Sequence, residues 1–155
     1  FTDIFLYGLK YFLSNFSVMN YSNIYARIYN FRVAIAKNFK QLFSIPAVKI
    51  YVIFLVFLQI SAWVQAILIR RKISDDFLVL HYNIDFGVDL VGRANDIFYY
   101  PFLGLLVFIL NLTLAAFFSR RPQAKITTHL FLAETLIFGS FLSFVLVAIN
   151  LINFR

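Results

Sequence analysis

Three apolar stretches, residues 50–69, 98–118 and 130–152, decide what this chain can fold into. Each has about the ~20 residues that a helix needs to cross a hydrocarbon core of roughly 30 Å. None holds a basic residue, and Glu134 is the single formal charge inside them. Lipid offers no partner to backbone N–H and C=O groups, so each stretch must satisfy them internally as a helix. The expected fold class is an all-α integral membrane protein with three transmembrane helices.

The rest of the composition agrees. Of the 155 residues, 62% are hydrophobic, more than a soluble globule of this size could hide from water. The 21 Phe suit lipid-facing surface, and the nine Tyr and one Trp suit the headgroup level. A net charge of +7 then reads as a topology signal and an attraction to anionic lipid. The aromatics lie in apolar stretches and are not interleaved with a basic groove, which argues against nucleic acid. The chain has no Cys, which excludes disulfides, thiolate metal sites and Cys nucleophiles.

Residues 1–46 form an expected N-terminal region of one or two amphipathic, interfacial helices. Ile4, Phe5, Leu9, Phe12, Leu13 and Phe16 recur at helical spacing, with Lys10 among them. Residues 1–19 read as a helix lying in the interface, with a fourth span as the alternative. The opening residues lack the basic n-region and small-residue cleavage site of a signal peptide. Tyr21, Ser22 and Asn23 suggest a break, with Ser22 or Asn23 capping a second helix over 24–43. There Ile28, Phe31, Ile35, Phe39 and Leu42 make an apolar stripe flanked by Arg27, Arg32, Lys37 and Lys40. Such a helix holds anionic lipid or simply sets the orientation of the first span.

Residues 47–155 form the expected three-span membrane domain. Pro46 marks a helix start or bend. The polar connection over 73–97 contains FLVLHYNI, which partly alternates, and Asp85-Phe86-Gly87, which can turn the chain; a small hairpin or irregular loop is expected. Pro122 stops the second span, and a tight turn with Arg120, Arg121 and Lys125 makes spans two and three an antiparallel pair. The weight of positive charge favours the N-terminus and the 119–127 turn in the cytoplasm, with the 73–97 loop outside; Arg70, Arg71 and Lys72 oppose this.

Two places could carry chemistry. In an extended segment His81, Asn83 and Asp85 would share one face, and Asp89, Asp75 and Asp76 lie nearby, which suggests a recognition or metal site. No second His stands at a metal-ligand spacing, so a loop bonding its own backbone is the simpler reading, and neither metal nor cofactor is expected. Glu134 is expected only about one and a half turns from the start of its helix. It can snorkel, meet the helix dipole, pair with Arg120, Arg121 or Lys125, or share a proton with His129; a proton or ion path is the rival reading. Gln59, Ser61, Gln65, Asn111, Thr113, Ser140, Ser143 and Asn150 suit hydrogen bonds between helices. No Ser/His/Asp set, phosphate loop or nucleotide fingerprint is present, so no enzyme is expected.

The segment HYNIDFGVDLVGRANDIFYYPFLGLLVFILN resembles the H-[FWY]-[ND]-x-x-G-x-x-D-x-x-G block of a bacterial membrane domain of unassigned function, which also occurs in immunity proteins against the sporulation-delaying toxin. His81, Tyr82, Asn83, Asp89 and Gly92 match the block; Gly87 falls one residue late, and Leu80 stands where the pattern has Pro. The layout also resembles small uncharacterised membrane proteins of candidate-phylum bacteria, with a basic amphipathic start, three spans and an LHYNI-type loop. The resemblance implies a bacterial plasma-membrane protein and no known reaction. The expected function is that of a non-enzymatic accessory or structural subunit, in contact with anionic lipid and other membrane subunits. The alternative is an immunity or signalling protein with the 73–97 loop as its recognition site. A metal-dependent or proton-coupled protein ranks third.

Overall fold

The computed structural model describes residues 21–73, 77–83, 85 and 87–154. The helix expected over 1–19, and Asp75 and Asp76, lie outside the described residues. The chain divides into two units, residues 1–38 and 39–155.

Helix α1 (Tyr21–Phe43) carries the basic amphipathic stripe. The expected break at Tyr21–Asn23 is instead helical. In the first unit Ile24, Ile28 and Phe31 are exposed, as are Arg27, Arg32 and Lys37.

The second unit holds three membrane helices: α2 (Pro46–Lys72), α3 (Tyr99–Phe118) and α4 (Ala124–Phe154). Pro46 stands at the helix start, where its missing N–H costs nothing. Arg70, Arg71 and Lys72 end α2, a placement that favours cations. A short 3₁₀ helix (Ala94–Phe98) extends the second span, so that 25 residues, from Ala94 to Phe118, are long and apolar enough to cross. The three spans of 27, 25 and 31 residues confirm the three-helix membrane architecture. At roughly 1.5 Å per residue each is longer than a 30 Å core, so polar ends protrude at both surfaces.

The third helix begins at Ala124, ahead of the apolar run that starts at 130. Lys125, Thr127 and His129 hide it from an apolar count, yet the turn is helical, with Thr127 N–H donating to Gln123 O and Thr128 buried.

Between α2 and α3 the connection folds into a hairpin of β1 (Phe77–Asn83) and β2 (Gly87–Arg93). The antiparallel register pairs Val79 with Val91, His81 with Leu90, Tyr82 with Val88 and Asn83 with Gly87. Leu80 and Asp89 are thus skipped on opposite strands, a pair of compensating bulges. Gly87 takes φ 79°, a conformation that L side chains rarely adopt, and this turns the chain.

Two apolar clusters hold the second unit together. One joins Ala62, Ala66 and Ile69 of α2 to Leu146 and Ile149 of α4, with Leu78 of the hairpin and Ile97 above them. The other joins Leu42, Val48 and Leu55 to Ala115 and Ala116 of α3 and Leu132 of α4. Small residues let the helices approach closely, since lipid supplies no hydrophobic drive for their association. Gly104 shows the limit: a Cβ there would lie 3.2 Å from both Gln59 Oε1 and Leu142 Cδ1.

Candidate functional site

By connectivity, the start of α2, the end of α3 and the start of α4 share one end of the bundle, and the hairpin caps the other. Each end carries one group of the residues that the sequence singles out.

At the hairpin end, His81 is exposed on β1 and Asp85 is exposed in the turn. Asn83 closes the ladder against Gly87, and Asp89 is the bulged residue of β2; their side chains lie outside the described set. The expectation of a common face rested on alternation through an extended segment. Asp85 lies beyond the end of β1, so alternation does not reach it. Among the described residues no three His, Asp or Glu side chains converge as metal ligands would.

The residue that organises this end is Asn153, which the sequence does not mark. Its Nδ2 donates to Val79 O at 2.8 Å, and Val79 N–H donates to its Oδ1 at 3.0 Å. The side-chain amide thus pairs with β1 as a neighbouring strand would. Bulging at Leu80 leans its side chain over Gly92, where a Cβ would fall 2.5 Å from Leu80 Cδ1 and 3.0 Å from Asp96 Oδ2. Asp96 Oδ2 accepts from Arg93 N–H at 2.8 Å and starts the 3₁₀ turn. Arg70 Nε donates to Asn95 Oδ1 at 2.9 Å, which ties α2 to that turn, and Trp63 stacks on Phe98 at 6.1 Å.

Within the spans, several of the scattered polar residues bond as expected. Gln59 Nε2 donates to Pro101 O at 2.6 Å, and buried Asn111 Nδ2 donates to Thr135 Oγ1 at 3.0 Å. Gln65 and Thr113 bond within their own helices. Glu134, next to Thr135, points the other way and is exposed. Because α4 starts at Ala124, Glu134 lies ten residues in, roughly 15 Å along the axis and well past one and a half turns. His129 does not face it: residues five apart on a helix are rotated by roughly 140°. The His129 ring instead meets Tyr51 of α2 edge-on at 5.7 Å.

At the turn end, Arg120, Arg121 and Lys125 line a cleft of about 760 Å³ between the α1–α2 link and the α3–α4 turn. Lys40, at the end of α1, is exposed. Comparison with known protein families, curated proteins and solved structures returned no match.

Proposed function

We infer that this membrane protein is a non-enzymatic accessory or structural subunit of a larger membrane assembly, in a bacterial plasma membrane. Glu134 carries the reading. The exposed residues Leu130, Glu134, Ile137, Phe141 and Phe144 repeat at intervals of four and three along α4. That is the seam spacing of a helix that packs lengthwise on another. A carboxyl group on a lipid-facing seam is costly, up to roughly 2.5–3.5 kcal/mol near the core centre on insertion scales. A partner helix bearing a hydroxyl, amide or cation removes that cost. Asn111 and Gln59 find partners inside the bundle, whereas Glu134 is exposed on α4.

The test places a photo-crosslinking residue at Ile137 or Phe144 and, for comparison, at Phe54 or Phe57 on the exposed face of α2. The subunit reading expects one discrete protein adduct from the α4 positions and none from α2. Lipid adducts alone from all four would contradict it.

A second reading rests on the hairpin. Its anchoring by Asn153 suits a rigid recognition element, as the resemblance to toxin-immunity proteins implies. In that reading the hairpin lies outside the cell and the 119–127 turn in the cytoplasm. Replacing His81, Asn83 and Asp89 singly by Ala then abolishes protection while membrane levels hold; unchanged protection in all three removes the reading.

A further inference from the structure

The cleft at the turn end is built from two connections remote in sequence. Gln41 and Ser44 line one wall, and Arg120, Arg121 and Lys125 line the other. Its volume of about 760 Å³ falls within the roughly 300–1,000 Å³ of small-molecule sites. Three cations line it and no acid does. Helices α2 and α4 both begin on its rim without an acidic residue in the first turn, so two positive dipole ends add to the same field.

We propose that this cleft seats the headgroup of one anionic phospholipid. Guanidinium forks match phosphate oxygens bidentately, and Lys125 adds a point charge. Ser44 Oγ, which donates to Gln41 O at 2.6 Å, keeps lone pairs that can accept from a hydroxylated headgroup, while Gln41 only shapes the wall. The apolar residues Ile45 and Ile126 also line it, which suits the start of an acyl chain better than a free anion. The position agrees: the cleft lies where the apolar spans of α2 and α4 begin and that of α3 ends. The site is independent of the subunit reading, because it involves neither Glu134 nor the outward seam of α4.

Basic residues at a membrane surface also attract anionic lipid diffusely, and the experiment separates the two cases. The full chain is purified in mild detergent and titrated with phosphatidylglycerol, phosphatidylcholine or inorganic phosphate, and bound molecules are counted by native mass spectrometry. A seated headgroup gives one saturable phosphatidylglycerol per protomer, held about tenfold more tightly than phosphatidylcholine and not displaced by inorganic phosphate. Arg120→Gln with Arg121→Gln weakens retention by roughly fivefold for each charge removed. Gln41→Trp fills the cleft without changing charge and abolishes retention, whereas Gln41→Ala keeps it. Arg71→Gln, at the far end of α2, leaves it unchanged. Undiminished retention in Gln41→Trp, or equal losses in Arg71→Gln and Arg121→Gln, would mean diffuse attraction and overturn the proposal. Displacement by inorganic phosphate would overturn the lipid assignment. Helical circular dichroism and particle size confirm folding, and the exposed Gln41 pair decides the matter if the arginine variant does not fold.

Discussion

The two ends of the bundle close in opposite ways. At the hairpin end the chain spends a whole connection on covering the helices: Leu78 and Ile97 sink into the α2–α4 core, and Asn153, Arg70 and Asp96 tie strand, helix and 3₁₀ turn together. At the turn end α3 and α4 are joined by a tight link whose Arg121 N–H donates to Phe118 O at 3.0 Å, and the charged side chains are left lining an open cleft. Apolar packing is present at both ends. The difference is in the longer-range polar contacts: at the hairpin end Asn153 and Arg70 bond across elements, whereas at the turn end Ser44 and Ser119 bond to carbonyls three residues back and the cations line the cleft. One end is therefore tied down by its polar contacts, and the other leaves its cations open in a cleft.

That contrast predicts a gradient of mutational effects. Leu78→Ala, which empties a position only 1% exposed, costs about 3 kcal/mol and frees the hairpin; protease cleavage within 73–93 should rise sharply while the helices persist. Asn153→Ala removes three side-chain hydrogen bonds, one to Ile149 O and two to Val79, and strands both polar groups of Val79, costing about 2 kcal/mol, which hydrogen exchange at the Val79 amide reads as roughly thirtyfold faster opening. Gly87→Ala meets no neighbouring atom and suffers only from its positive φ; about 1 kcal/mol of hairpin stability is lost, with the same exchange assay as the check. Arg121→Gln, at the open end, changes thermal stability in detergent by less than about 0.5 kcal/mol. A neutral substitution at Arg120, Arg121 or Lys125 as damaging as Asn153→Ala would break the comparison.

Length and hydropathy were enough to read the spans, because lipid leaves the backbone one solution. Pro46 and Pro122 were legible for a local reason, the missing donor and fixed φ. The start of α4 was not, since Lys125, Thr127 and His129 interrupt the apolar run while remaining compatible with helix. This also moved Glu134 deeper along its helix than the apolar run implied. A hairpin was foreseeable from FLVLHYNI and Gly87, but the bulges at Leu80 and Asp89 depend on pairing between strands and on Gly92 lying beneath Leu80. Asn153 carries no sequence signal: a polar residue near a helix end ordinarily faces water, and only the fold brings Val79 to it. The cleft was half legible. Arg120, Arg121 and Lys125 stand out as charges, but Gln41 and Ser44 join them only through packing of the α1–α2 link.

Three membrane helices place the hairpin and the α3–α4 turn at opposite ends of the bundle. The chain has no Cys of its own, so Asp85→Cys and Gln123→Cys introduce unique labels at exposed sites of the two ends. In sealed vesicles of uniform orientation, a membrane-impermeant maleimide should modify one of these variants from outside and the other only after the vesicles are opened. Labelling of both from the same side, without opening, would contradict the account.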